Sequence, residues 1–207
     1  MLRALEHREI DILIGTQMIT KGHDFPFITL VGVISADTSL NMPDFRAAEK
    51  TFQLITQVAG RGGRGDSPGR VIIQTFNPQH YALRHARNHD YKAFYEEEIE
   101  FRKALHYPPF SRIVNLRLSS VNKDVLIEEA RRLGKLANKL SAGCGNAVEI
   151  IGPAESPLSK IRGRYRWQML LKGKNTDLLH KITREIINRH KNSHVKITAD
   201  VDPENFM

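Results

Sequence analysis

Three apolar runs punctuate the first part of the chain: Asp11 to Ile14, Ile28 to Ile34, and Val71 to Phe76. They are continuous rather than alternating, the pattern of strands in a parallel sheet covered on both faces. Between the second and third runs, Phe45, Ala48, Phe52, Ile55 and Ala59 recur at helical spacing. They predict one helix docked on the sheet, capped by Asn41 or Asp44, with Pro43 in its first turn. Asn77-Pro78 is the expected start of a short helix to about Asn88, and Asp90 the expected cap of a longer one through Leu105. The acidic run Glu96, Glu97, Glu98 and Glu100 reads as the solvated face of that second helix.

Tyr107-Pro108-Pro109-Phe110 ends it, because proline lacks an amide donor and drives its predecessor out of helical geometry. The pattern then restarts. Ile113 to Leu118 alternates as a strand, and Leu126, Ala130, Leu133, Ala137 and Leu140 mark one face of a helix over residues 125 to 140. Ser141 to Asn146 reads as loop, Val148 to Ile151 and Tyr165 to Leu171 as strands, Leu178 to His190 as a helix, and Val195 to Ala199 as a closing strand. The order β-α-β-β-α-β predicts a ferredoxin-like antiparallel sheet with two helices on one face. The fold class is α/β: an incomplete nucleotide-type lobe with a parallel sheet, then a smaller α+β domain. The expected boundaries are 1–88, a helical linker 89–110, and 111–207.

Charge sharpens this division. The formal net charge is +8. Residues 1 to 110 hold 13 basic and 13 acidic side chains, and residues 111 to 207 hold 18 and 10, so the whole excess sits in the second part. A basic module beside a neutral one suits a polyanion partner such as nucleic acid, or a solvated surface kept for solubility. At 207 residues and 41% hydrophobic content, one or two ordinary cores are expected. No apolar run has transmembrane length and no signal-peptide pattern opens the chain, so a soluble, cytoplasmic protein is expected. The single cysteine, Cys144, excludes an internal disulfide and a multi-cysteine zinc site, and its neighbourhood suggests a buried thiol. His80, His85 and His89 lack a metal-ligand spacing, so no metal is expected in this chain.

Two stretches carry candidate chemistry. Gln57, Arg61 and Arg64 stand at i, i+4 and i+7, off the apolar stripe, so a continuous helix holds them together on one face. Rigid guanidinium groups at a helix end suit a polyphosphate. The same residues could be a basic C-terminal cap closed by Gly62 or Gly63, or part of an arginine-glycine tract that binds RNA. The second stretch, Pro157 to Trp167, reads as a loop in which Lys160, Arg162, Arg164 and Arg166 interleave with Tyr165 and Trp167. Either the basic groups meet phosphates while a ring stacks on a base, or the rings pack the fold and only the basic tips are solvated.

Taken together, Gly15-Thr16-Gln17-Met18, Lys21-Gly22-His23-Asp24-Phe25-Pro26 and Gln57-Val58-Ala59-Gly60-Arg61-Gly62-Gly63-Arg64 resemble motifs V and VI of superfamily 2 helicases. With Pro43 to Glu49, Tyr107 to Phe110, Gly163 to Gln168 and Asp200 to Pro203, the resemblance narrows to the replication-restart helicases and spans nearly the whole chain. It implies a partial RecA-like second lobe in a bacterial, ATP-driven 3′ to 5′ DNA helicase that restarts stalled forks and initiates primosome assembly. Carried over by motif, Arg64 and Arg61 would contact the γ-phosphate, with Gln57 in support. Gly22 and Asp24 would lie on the nucleotide side, and Thr16, Gln17 and Lys21 nearer the DNA backbone. The implied cofactors are ATP and Mg2+, with zinc in the family's cysteine-rich module. The implied partners are branched and single-stranded DNA, single-stranded-DNA-binding protein and other primosome proteins, with no membrane. The chain lacks the phosphate loop, the acidic metal-binding box and the zinc module, which are expected upstream of residue 1, so it should not hydrolyse ATP alone. The alternative is a non-catalytic nucleic-acid-binding or adaptor protein.

Overall fold

Apolar continuity, helical stripes and proline stops resolve into six strands and six helices among the described residues of a computed structural model, which describes residues 7, 9–16, 28–60 and 69–206. In order these are β1 (Leu30–Val33), α1 (Asp37–Leu40), α2 (Ala47–Ala59), β2 (Arg70–Ile73), α3 (Tyr81–Arg87), α4 (Tyr91–Ala104), β3 (Arg112–Ser120), α5 (Lys123–Ala142), β4 (Val148–Ile161), β5 (Arg164–Gly173), α6 (Thr176–Asn188) and β6 (Lys196–Val201). The chain is mixed α/β, with a parallel two-stranded sheet and a separate antiparallel four-stranded one. It divides into two compact units, residues 1–42 with 46–98, and residues 43–45 with 99–207.

In the first unit β1 and β2 pair in parallel, Leu30 opposite Arg70 through Val33 opposite Ile73. Phe52 and Ile55 of α2 pack with Ala36, Ala82, Leu83, Ala86 and Phe94, joined by Val33 and Ile73 from the sheet. Phe52 and Phe94 stack with centroids 4.2 Å apart. Three expectations need correction. The run Asp11 to Ile14 forms no strand, and Ile12 and Ile14 are exposed; a strand gets its hydrogen bonds from a neighbour, and no described strand pairs with it. Among the described residues the sheet is covered on one face only, with Leu30 and Ile72 exposed on the other. α2 begins at Ala47 with Arg46 as N-cap, not at Asn41 or Asp44, because Asp37–Leu40 takes up its own helical turn and 41–46 are turns and bends.

The acidic run of α4 also departs from a solvated face. Glu98 is buried and accepts a 2.6 Å hydrogen bond from Tyr81 Oη, while Glu97 meets Arg84 at 2.7 Å and His85 at 2.8 Å. A carboxylate at this depth requires such donors. Asp90 does cap α4, accepting from the Ala93 amide at 2.9 Å. The cap of α3 is His80, whose Nδ1 accepts from the Ala82 amide, in place of the expected Asn77-Pro78. Burial pulls the His80 pKa down, against Glu97 and Glu98, which push it up.

In the second unit strands and helices follow the expected β-α-β-β-α-β succession, and the sheet order is β4-β5-β3-β6 with every pair antiparallel. Alternation in β3 sends Val114, Leu116 and Leu118 to one face, where they meet Leu126, Ala130, Leu133 and Ala137 of α5 and Leu179, Ile182 and Ile186 of α6. Burying each of the valine, leucine and isoleucine side chains among them contributes about 1.5–3 kcal/mol before entropy is counted. Asn122 caps α5 by accepting from the Asp124 and Val125 amides, and Asn175 caps α6 through the Leu178 amide. Glu129 binds the α5 helix to the end of α6: Arg132 donates to it at 2.7 and 2.8 Å, and His190 Nδ1 lies 2.7 Å away.

On the other face, among the described residues of this unit, no helix contributes to the core. Ile113, Leu170 and Phe206 form a small core there with Phe45, Tyr107 and Ile151. Phe45 stacks on Tyr107 at 4.9 Å, so it does not begin the α2 stripe as expected. Buried Lys172 joins this corner, donating to Leu105 O at 2.7 Å, pairing with Glu149 at 2.9 Å and standing 4.5 Å above the Tyr107 ring. Cys144 is exposed rather than buried, because α5 stops at Ala142 and the cysteine falls in the turn that follows.

Candidate nucleic-acid interface

The stretch Pro157 to Trp167, expected as a loop, is a β-hairpin. β4 runs through Ile161 and β5 starts at Arg164, leaving Arg162 and Gly163 as the turn. Both have positive φ, 49° and 78°, as a two-residue turn of the right twist demands. The pairs are Ile161 with Arg164, Lys160 with Tyr165, and Glu155 with Trp167; residues 156–159 bulge opposite Arg166. The strand continues because its backbone groups find partners in β5, which local composition does not reveal.

Alternation along β5 then separates what the sequence interleaves. Tyr165 and Trp167 face the helices and pack against the main core, both half-buried. Of the two readings of these rings, the packing one describes the structure. Lys160 goes with them: its Nζ lies 4.5 Å above the Tyr165 ring and 3.4 Å from its hydroxyl, and Lys123 lies 5.9 Å from the same ring. That ring already carries two cations.

Arg164 and Arg166 project to the helix-free face. Arg164 Nη2 donates to Ser119 O at 3.0 Å. Arg166, half-buried, makes no hydrogen bond or ion pair with the described residues, and burial first, then the charge of Arg117, holds its pKa below the ordinary arginine range. Both factors disfavour a cation, and pairing with an incoming anion would offset them. Arg117 in β3 stands opposite Gln168 and so shares this face. It is restrained by Asp200 at 2.9 Å and by the Asn205 carbonyl at 3.2 Å. Its Nε is buried without a partner among the described residues, as are both side-chain amide atoms of Asn115 and the side-chain oxygen of Gln168. Ser119, Leu158, Ile161, Arg162, Arg164, Arg166 and Asn205 line a groove of about 530 Å³ here.

The candidate residues therefore do not form one cluster. Arg162, Arg164 and Arg166 come together on the groove, and Lys160 stands with Tyr165 instead. In the first unit, Gln57 is exposed in the last two turns of α2, which ends at Ala59 with Gly60 as C-cap, and Thr16 is exposed in an irregular segment. Arg61, Arg64, Gly22, Asp24, Gln17 and Lys21 lie outside the described residues. Arg117 was not singled out by sequence reasoning. The signal existed, since it occupies a polar position of an alternating strand, but the register that sets it beside Arg166 is a tertiary fact. Among the described residues no group of three or more His, Cys, Asp or Glu side chains could hold a metal, and no helix is long and apolar enough to cross a membrane.

Comparison with known proteins gives this geometry its context. Residues 103–204 match the family model described as the primosomal protein N C-terminal domain. The replication restart protein PriA of Bacillus subtilis is 44% identical over 211 aligned residues, which cover 100% of this chain and 26% of that protein. The replication restart protein PriA of Rickettsia felis is 42% identical, covering 100% of this chain and 31% of the relative, and that of Synechocystis is 42% identical over 83% of this chain and 20% of the relative. The chain thus spans less than a third of the length of these relatives. With such identity along its whole length, and the family model over most of its second unit, the chain belongs to the PriA replication restart family, of which it represents a C-terminal portion.

Proposed function

We propose that this chain is the C-terminal portion of an ATP-dependent 3′ to 5′ DNA helicase that restarts stalled replication forks and initiates primosome assembly. In this reading residues 1–88 are part of a RecA-like second motor lobe, 89–110 a helical linker, and 111–207 a ferredoxin-like domain that binds DNA and partner proteins. The supporting observation is the gathering of Arg162, Arg164 and Arg166 with Arg117 on the helix-free face of the sheet, in a chain related throughout to replication restart proteins. The strand order β4-β5-β3-β6 supports the ferredoxin-like assignment.

In the motor part Arg64 is the arginine finger, Arg61 and Gln57 support it, Gly22 and Asp24 line the nucleotide side, and Thr16, Gln17 and Lys21 touch the DNA backbone. ATP and Mg2+ would be held jointly with a phosphate loop and an acidic box that this chain's sequence does not contain, so the chain alone does not hydrolyse ATP. With one cysteine the chain cannot form the family's zinc module. Single-stranded-DNA-binding protein and other primosome proteins are its partners in the bacterial cytoplasm.

The test is a chimera in which the upstream part of the Bacillus subtilis relative is joined to this chain. DNA-stimulated ATP hydrolysis should appear, and Arg64→Ala should lower its turnover by roughly three to five orders of magnitude, as removing an arginine finger does. Normal hydrolysis in that variant would refute the finger assignment.

A further inference from the structure

The groove on the helix-free face carries a more specific reading, which rests on the DNA-binding function proposed above. We propose that Arg166 and Arg117 form a seat for one phosphodiester of a single nucleic-acid strand, with Leu158 and Ile161 as the apolar wall against its sugar or base.

Ser119 stands directly opposite Arg166 and Gln168 directly opposite Arg117, so the two arginines are diagonal neighbours on one face of the β3-β5 ladder. Two guanidinium groups placed so repel each other. Arg117 is compensated by Asp200. Arg166 has no carboxylate or carbonyl among the described residues, although it is half-buried and cannot be fully hydrated. A half-buried cation beside a like charge is a poor arrangement for folding alone, and one acceptor oxygen set between them answers both. Arg164 also lines the groove but is tied back to the Ser119 carbonyl, whereas Arg166 has no such bond among the described residues.

Shape selects the strand. The groove holds about 530 Å³, and Leu158 and Ile161 put exposed aliphatic surface beside the arginines. An extended strand can lower a phosphate into it and lay its sugar or base on the aliphatic wall. A duplex is stiff on this scale and is expected to meet the exposed Arg162 at the turn rather than the half-buried Arg166. An acidic peptide would match the charge but brings no sugar or base to lay on Leu158 and Ile161.

The experiment uses the full chain, a fluorescently labelled oligothymidylate, a duplex of equal length and polyglutamate as competitor, with affinities measured across salt concentration. Arg166→Gln should weaken oligothymidylate binding about tenfold, a loss of about 1.4 kcal/mol, and reduce the slope of log affinity against log salt by about 0.7, the value for one phosphate contact on a single strand. Arg166→Lys should recover part of the affinity and all of the slope. Arg117→Gln should follow Arg166→Gln. Lys135→Gln, which removes an equal charge from the helical side, should change neither quantity. The thermal midpoint of Arg166→Gln should be no lower than that of the unaltered chain, since the side chain has no hydrogen bond or ion pair with the described residues to lose and its repulsion with Arg117 is removed. An unchanged slope in Arg166→Gln, equal losses in Lys135→Gln, duplex binding that depends equally on Arg166, or displacement by polyglutamate at matched charge each overturn the seat while leaving DNA binding in place. No binding of either DNA by the unaltered chain overturns the DNA-binding reading and the seat with it.

Discussion

Replacing Gly134 by alanine measures how closely α5 is seated on the strand that carries the basic hairpin. Gly134 is buried in the helix interior, where an alanine Cβ would lie 2.5 Å from Pro153 Cδ and 3.0 Å from Pro153 Cγ. The proline ring is closed on its own backbone nitrogen and cannot swing aside. It sits in β4 at the irregularity between Ile151 and Ala154, so relief requires the helix or the strand to move. In an open helical position, glycine to alanine stabilises by roughly 0.5–1 kcal/mol. Overpacking a rigid neighbour costs about 1–3 kcal/mol, and a 2.5 Å approach belongs in the upper part of that range. The net expectation is a loss of about 1–2 kcal/mol. Urea unfolding followed by the fluorescence of Trp167, the one tryptophan, reports on the unit concerned. Gly134→Ala should lower the midpoint without changing the slope. Gly143→Ala serves as the contrast, because its nearest atoms would be the Leu140 and Lys139 carbonyl oxygens at 3.5 and 3.6 Å, and it should be neutral or slightly stabilising. If the two variants behave alike, or Gly134→Ala raises the midpoint, the close seating of α5 on Pro153 is refuted.

Three further outcomes follow from particular contacts. Hydrogen bonds from Arg132, then from His190, hold the Glu129 pKa below the ordinary glutamate value, overcoming burial, which pushes it up. The stabilisation this provides is therefore complete above the unfolded-state value of about 4.3 and is lost as pH falls through the lower folded value. In urea titrations between pH 3 and 6, about that value, Glu129→Gln should flatten the acid limb of stability, and an unaltered limb would remove Glu129 from the account. Gly163 has φ 78° and open space around it, so Gly163→Ala should cost only the strain of a left-handed alanine, about 1 kcal/mol, read from the same unfolding curves. Neutralising Arg162 and Arg164 together should lower the salt slope for DNA by about one counterion per lost phosphate contact, and a retained slope would separate the hairpin from DNA binding.

Much of the second unit was legible because its signals are local and agree with one another. Val114, Leu116 and Leu118 alternate, and Leu126 to Ala137 recur at helical spacing. The first unit was less legible. Its apolar run at Asp11 to Ile14 has the composition of a buried strand, but a strand exists only where another backbone completes its hydrogen bonds. Glu98 carried no mark of burial either, since its depth depends on Tyr81, seventeen residues away, arriving with a hydroxyl.

The basic stretch shows the same division at the candidate site. Residue order by itself determined that a concentrated positive charge lies near residues 160–166, and that the rings and Arg164 and Arg166 alternate. Only the tertiary structure decided that the stretch is a hairpin rather than a loop, that Lys160 stands over Tyr165, and that Arg117 lies beside Arg166. The physical reason is that charge and periodicity are properties of neighbours along the chain. Register between β3 and β5 joins residues about fifty positions apart, and it is set by the burial of Val114, Leu116, Leu118, Met169 and Leu171 on the opposite face of the sheet.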